Sequence, residues 1–343
     1  MIIELPGTTV NGIARALVTA REEGGVSVLG RVLSLLVVTE SGHEEQAIRA
    51  ANAASYEHPM RVIVVMSHPD EPSGLDAEIR VGGDAGASEV IILHARGAAA
   101  TADESLVAGL LLPDAPVVTW WHRNPPTSPA ESPFGRISDR RITDAVSAES
   151  PIGWLDRITR TYSPGDTDLA WTRLTRWREQ LAAALDDPDL APVRSAEVVG
   201  ADATPSAVIM AAWLELQLRV PVRLRRVTGE EWKDGLRSVT LTFDEGSIEL
   251  ARVEGADTIL TVPDYEPRHL VLARRTLREC LTEELRRLDE DIIYGRVVTQ
   301  ALPGILARLE APAPAAGAAP VSTNSAPDPD QTAAPHATER NSQ

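Results

Sequence analysis

Apolar positions along the first 66 residues alternate between helical and strand patterns. Val10, Ile13, Ala14 and Leu17 follow helical spacing behind Thr8 and Thr9, either of which can cap the helix, and Gly24-Gly25 ends it. Arg31 to Val38 is a near-continuous apolar run, as expected of a strand covered on both faces. Ser41-Gly42-His43-Glu44 has capping-box spacing and opens a helix to about Tyr56, which Pro59 stops. Arg61 to Met66 then makes a second buried strand. This order predicts parallel strands joined by helical crossovers. Further strands are predicted at Ala77 to Val81, Glu89 to Leu93 and Pro116 to Trp121, with a helix near Asp103 to Leu111. Helices near Ile152 to Thr161 and Asp168 to Leu185 lead out of the first half.

The second half has a different texture. Thr204-Pro205 opens a helix carrying Val208, Ile209, Ala212, Trp213 and Leu216. Alternating runs follow at Val220 to Val227, Ser238 to Phe243, Ser247 to Arg252 and Thr258 to Val262, reading as a β-meander. Leu270, Ala273, Leu277, Leu281, Leu285 and Leu288 recur every three or four residues and predict one long amphipathic helix. The chain is therefore expected to be α/β: a mostly parallel βαβ sheet domain over 1–162, and an α+β domain with a meander and long helices over 163–310. Alanine and proline dominate 311–343, which lacks the apolar residues to offset its chain entropy and is expected to be a disordered tail.

The net charge of −17 over 343 residues changes the list of partners. A surface this acidic repels phosphate backbones and anionic lipid heads, which argues against nucleic acid and membrane, and steers the chain toward a basic patch on a protein. Lys233 is the only lysine. No Walker-type phosphate loop can be built without its lysine, and a Schiff base would have to use Lys233, which sits in a polar turn-like run. Cys280 is the only cysteine, so no disulfide can form within the chain and a reducing compartment is expected. No basic residue precedes Arg15 and no apolar run approaches the roughly 18–20 residues of a membrane span. A cytoplasmic location is expected.

The sequence carries no positive signal for catalytic chemistry. The glycines of Gly82-Gly83-Asp84-Ala85-Gly86 have the wrong spacing for a dinucleotide fingerprint and precede a strand, so a turn or bulge is expected. The histidines at 43, 58, 68, 94, 122, 269 and 336 form no metal-ligand pair. Cys280 lies beside the apolar stripe of the last long helix and reads as a structural thiol. No GxSxG elbow is present. No catalytic, metal or cofactor residue is expected.

Two clusters stand out as candidate protein contacts, because tryptophan and arginine most often anchor interfaces. Trp120 and Trp121 end a predicted strand, where adjacent side chains face opposite ways, so one tryptophan is expected in the core and the other to cover a surface or loop. That strand edge is also where an open parallel sheet binds ligands, so a sugar-phosphate site near Trp120, Trp121, Gly82 and Gly83 is the alternative reading. The second cluster comprises Asp166, Asp168, Trp171, Arg173, Arg176 and Trp177, joined by Arg140 and Arg141. Core packing is the competing reading, since aromatic residues at helical spacing usually face inward.

Several segments, in order, resemble one family. They include Gly30-Arg31-Val32-Leu33, the run Ala50 to Val65, Arg80 to Gly86, Leu112-Pro113-Asp114-Ala115-Pro116-Val117-Val118, Arg140-Arg141-Ile142-Thr143-Asp144-Ala145, Tyr162 to Trp177, and Glu283-Glu284-Leu285-Arg286-Arg287-Leu288-Asp289. Together they cover roughly residues 1–300 and resemble the glucose-6-phosphate dehydrogenase assembly protein (OpcA) family in its actinobacterial form. The resemblance implies a non-catalytic helper that supports the oligomeric assembly or allosteric activation of glucose-6-phosphate dehydrogenase in the oxidative pentose phosphate pathway. NADP and glucose 6-phosphate would then belong to the partner. Cyanobacterial relatives are associated with thiol-redox control, but Cys280 alone excludes a dithiol switch within this chain.

Overall fold

The computed structural model describes residues 1–24, 30–81, 89–100, 104–186, 191–202, 204–227, 232 and 235–310. Lys233, the glycines at 82–86 and the predicted tail at 311–343 lie outside the described residues. Among the described residues, fourteen strands form two mixed sheets with helices between and around them.

The first sheet holds β1 (Ile2–Leu5), β2 (Leu33–Thr39), β3 (Met60–His68), β4 (Gly74–Arg80), β5 (Glu89–Arg96), β6 (Val117–Trp121), β7 (Arg140–Thr143) and β8 (Asp166–Asp168). Its order is β1-β4-β5-β3-β2-β6-β7-β8. The six strands from β5 to β8 are parallel, while β4 and β1 add an antiparallel edge. Both faces of this sheet are covered, which is why β2, β3 and β6 read as unbroken apolar runs. On one face Leu35, Val62, Val64 and Trp120 pack on α2 (Glu44–Ser55) through Ala47, Ile48, Ala51 and Ala54. On the other face Leu36, Ile63, Ile91 and Trp121 meet α1 (Val10–Gly24) and the short α3 (Ser105–Ala108). The turn α4 (Pro133–Arg136) is capped by Ser132, whose Oγ accepts from the Gly135 N–H, and adds Phe134 to that side.

The second sheet runs β10-β9-β11-β12-β13-β14. Its strands are β9 (Ser195–Ala201), β10 (Val222–Val227), β11 (Leu236–Thr242), β12 (Ser247–Glu254), β13 (Asp257–Thr261) and β14 (Arg268–Val271). The predicted meander is present from β11 to β13 and is extended by β14, which was not predicted, while β10 pairs in parallel with β9, an unpredicted strand inserted beside it. The helices α5 (Pro151–Thr161), α6 (Leu169–Thr172), α7 (Thr175–Ala184) and α8 (Pro205–Leu218) pack on this sheet in one core.

The long amphipathic helix expected from Leu270 to Leu288 is shorter. Leu270 belongs to β14, and α9 spans Leu277–Arg286. The Thr276 side chain accepts from the Glu279 N–H while the Glu279 carboxylate takes the Thr276 N–H, so this capping box starts the helix seven residues later than the apolar repeat alone suggested. α9 does not stay with the meander. Cys280, Leu281 and Leu285 pack on the first sheet beside α2. Beyond it, α10 (Ile292–Arg296), a π-helical turn at Val297–Ala301 and α11 (Leu302–Glu310) return to the second core through Tyr294, Val297, Val298, Leu302 and Ile305. The two sheets therefore exchange segments: α5 serves the second core before β8 completes the first sheet, and α9 comes back to the first from the second.

Candidate functional site

The C-terminal ends of β2, β6, β7 and β8 converge where the sheet order reverses around β2, the position at which doubly wound sheets bind ligands. The side chains here interlock with one another. His122, just past β6, is 5% exposed; its Nδ1 lies 3.1 Å from Thr39 Oγ1 and its ring meets Trp120 edge-on. Burial, reinforced by the Arg123 charge, pushes the His122 pKa down to about 4, so the ring is neutral at pH 7. The turn after β2 leads into α2 through Glu40, His43, Glu44 and Glu45. A dinucleotide needs glycines and exposed N–H groups at that turn; this one has a single glycine and three carboxylates.

Trp120 and Trp121 do face opposite sides of the sheet, but both are buried, at 0% and 3% exposure. The expectation that one of them would cover the surface is corrected: each side of the sheet carries its own helical layer, so alternation sends both into cores. Their ring faces are closed to a sugar phosphate, and Gly82 and Gly83 lie outside the described residues.

The second cluster forms the seam between the two sheets. Asp168 ends β8, caps α6 and is 0% exposed. Its carboxylate accepts from the Thr143 hydroxyl, the Ala145 and Ala170 N–H groups and Trp154 Nε1. Burial raises its pKa, with the neighbouring Asp144 charge adding to the effect and the hydrogen bonds opposing it. Arg173 forms a two-pronged pair with Asp144 at 2.7 and 2.8 Å. Burial works against the Arg173 cation, yet the Asp144 hydrogen bonds and charge outweigh it and its pKa is raised. Arg140 donates to Glu284 through Nη2 at 2.6 Å and Nε at 3.2 Å, and to the Asp289 carbonyl at 2.5 Å. Glu284 also accepts from the Thr172 hydroxyl, so strand β7, helix α6 and helix α9 meet on one carboxylate. Arg141 is held by Asp166 at 2.5 Å, and burial nevertheless raises the Asp166 pKa.

Trp171 and Trp177 lie in the second core, 1% and 4% exposed. Trp171 Nε1 donates to Asp291 at 2.7 Å, and Arg178 stacks on its ring 3.5 Å from the centroid. Burial lowers the Arg178 pKa to about 10, with Asp291 and Glu283 partly restoring it. Arg176, paired with Glu279 at 3.2 Å, keeps 42% of its side chain exposed. Of the candidate contacts, the structure thus brings Arg140, Arg141, Asp166, Asp168, Trp171, Arg173 and Trp177 together as an internal seam, leaves Trp120 and Trp121 in the sheet core, and puts Arg176 outermost. Sequence reasoning missed Asp144, Glu284 and Asp291, the carboxylates that hold this seam. The signal was the density of arginines in one acidic chain, which calls for buried counter-charges.

Cys280 is fully buried and unpaired with any other cysteine, and burial pushes its thiol up to about 11. Among the described residues no group of three or more His, Cys, Asp or Glu is placed to hold a metal, and no helix is long and apolar enough to cross a membrane.

Two family models match this chain, and both describe domains of a glucose-6-phosphate dehydrogenase subunit. The model of its N-terminal domain matches residues 51–160, and the model of its C-terminal domain matches residues 164–298. A curated relative, the putative OxPP cycle protein OpcA of Nostoc punctiforme, is 25% identical over 226 residues, which are 61% of this chain and 49% of that protein. The chain thus spans about half the length of this relative. Among solved structures, a 3-ketoreductase from Actinomadura kijaniata with NADP and TDP-benzene is similar at 9% identity and TM-score 0.45, over 79% of this chain and 96% of that one. Glucose-6-phosphate 1-dehydrogenase from Mycobacterium avium is similar at 11% identity and TM-score 0.37, over 81% and 92%.

Proposed function

The chain belongs to the glucose-6-phosphate dehydrogenase assembly (OpcA) family, and on that premise we propose that it acts without catalysis, by binding glucose-6-phosphate dehydrogenase and supporting its active oligomer. The observation that carries this reading is the match of both family domains, in order, across 51–160 and 164–298. The local chemistry supports it. The first βα turn at the sheet's reversal carries Glu40, Glu44 and Glu45 where a pyrophosphate would need glycines, so the chain is poorly suited to bind a dinucleotide there. The only thiol is buried with a raised pKa, and His122 at that edge is enclosed. The net charge of −17 gives long-range attraction to a basic face of a partner, which raises association rates more than affinity.

An assembly factor raises activity only if it binds the active oligomer more tightly than the inactive form. A tenfold shift requires about 1.4 kcal/mol of differential affinity. The test mixes the purified chain with the dehydrogenase and follows mass by size-exclusion chromatography with light scattering, alongside turnover. A shared peak with changed turnover is expected. Separate elution with unchanged turnover would overturn the reading.

A further inference from the structure

A second feature lies on the outer side of the seam. A cavity of about 290 Å³ opens between α6–α7, the start of α8, and the segment joining β14 to α9. Among the described residues, five arginines line it, Arg173, Arg176, Arg252, Arg274 and Arg275, against one carboxylate in the wall, Asp202. In a chain of net charge −17 this concentration of cations runs against the overall balance. From this cavity we infer a binding site for a small phosphate monoester, formed by the chain's own arginines and independent of any protein partner.

The carboxylates behind the wall are placed to hold the guanidiniums in position. Asp144 takes two N–H groups of Arg173, Glu279 pairs with Arg176 at 3.2 Å, and Glu283 with Arg275 at 2.5 Å. Arg275 also donates to the Thr172 and Glu279 carbonyls and Arg252 to the Leu272 carbonyl, which fixes these two as walls of the cavity. A guanidinium carries five N–H donors, so the carboxylate that fixes Arg173 or Arg176 leaves donors for a second anion. The arginines come from separate elements, α6–α7, β12 and the β14–α9 segment, so they approach the cavity from different sides. Donors arriving from several directions suit the tetrahedral oxygens of a phosphate better than a flat carboxylate. The 14-residue helix α8 adds the positive end of its dipole, with Thr204, Pro205 and Ser206 lining the cavity. Pro205 has no N–H and the Ala207 and Val208 N–H groups are taken by the Thr204 carbonyl, so the helix contributes its field more than donors.

The wall is shaped around Arg274. Its guanidinium lies 5.8 Å from the Trp232 ring centroid, and a Cβ on Gly235 would come within 3.0 Å of Arg274 Nη1. Gly235, at φ +76°, thus gives the backbone turn and the room for that side chain. The rest of the lining includes Leu174, Trp177, Leu236 and Leu272, an apolar surface for the body of an organic ester. The volume is at the small end of ligand cavities, which run about 300–1,000 Å³, and fits a phosphorylated monosaccharide rather than a dinucleotide.

The test uses the full chain alone, titrated calorimetrically with glucose 6-phosphate, glucose and inorganic phosphate as probes. Saturable binding of the ester is expected, with no heat from the neutral sugar and weaker binding of inorganic phosphate. Arg274→Gln and Arg176→Gln, both at the accessible rim, each weaken the ester about tenfold, while Asp202→Asn tightens it. Melting curves establish that each variant is folded. No saturation at millimolar ester, equal affinity for inorganic phosphate (an adventitious ion only), or unchanged affinity in both arginine variants would each overturn the assignment. Because the dehydrogenase is absent from this experiment, its outcome is separate from that of the partner-binding test.

Discussion

Replacing Arg140 with methionine separates a contact with a partner from a strut within the chain. In the structure the Arg140 and Glu284 side chains are 5% and 6% exposed, and Arg140 reaches the carboxylate through two nitrogens. Removal of one member strands the other's charge in the seam, and breaking such a buried pair costs about 3–5 kcal/mol. Against a total stability of about 5–15 kcal/mol, that is a large fraction. Arg140→Met and Glu284→Leu are each expected to lower the urea midpoint of unfolding substantially. The double variant removes both charges together and is expected to recover most of the loss, because burying a well-packed apolar pair is often neutral or better. The cycle should therefore yield a coupling energy above about 2 kcal/mol, between residues 144 positions apart in the chain. A stability loss below about 1 kcal/mol for Arg140→Met, combined with lost binding to the dehydrogenase, would refute the internal role and restore Arg140 to a docking surface.

Other perturbations probe the same region. His122 has a folded pKa of about 4 against 6.5 when unfolded, so below pH 6.5 the unfolded chain takes up a proton that the folded chain refuses. Its contribution to stability is complete above pH 6.5 and is lost on acidification toward pH 4, by about 3 kcal/mol; His122→Gln should flatten this part of the stability–pH profile, and an unaltered profile would contradict the burial argument. Arg173→Glu sets a third carboxylate beside Asp144 and Asp168 and should lower the melting temperature sharply, whereas an unchanged melting curve with weakened dehydrogenase binding would place Arg173 at the interface. Cys280 should resist thiol reagents at pH 8 in the native chain and react fully in denaturant; rapid native labelling would show that α9 leaves the first sheet readily.

The amino-acid sequence by itself determined the elements whose patterns are local. The apolar runs of β2 and β3 and the helix between them define a parallel βαβ unit, because a strand covered on both faces has no reason to alternate. The capping box expected at Ser41 to Glu44 does not form, since His43 is the N-cap and its side chain makes no capping bond. The meander from β11 to β13 was legible for the opposite reason: each strand alternates, with one face on the core and the other exposed. The short strands β7 at Arg140–Thr143 and β8 at Asp166–Asp168 were not legible. Apart from Ile142 their residues are polar or charged, and all but the half-buried Asp166 are buried. Glu284 and the Asp289 carbonyl on Arg140, Asp166 on Arg141, and Thr143, Trp154 and backbone N–H groups on Asp168 make that burial tolerable.

Tertiary structure alone decided what the tryptophans and arginines do. Trp171 and Trp177 carry the same composition whether they anchor a partner or fill a core. The difference is made by α8 and the second sheet, which arrive from distant parts of the chain and close over them. The same holds for α9. Its apolar stripe was plain, but whether it would face the meander or the first sheet rested on the long-range pairing of Arg140 with Glu284 and on the seat for Cys280 beside α2. A sequence states which faces must be buried; which surface buries them is fixed by charges and shapes brought together from far along the chain.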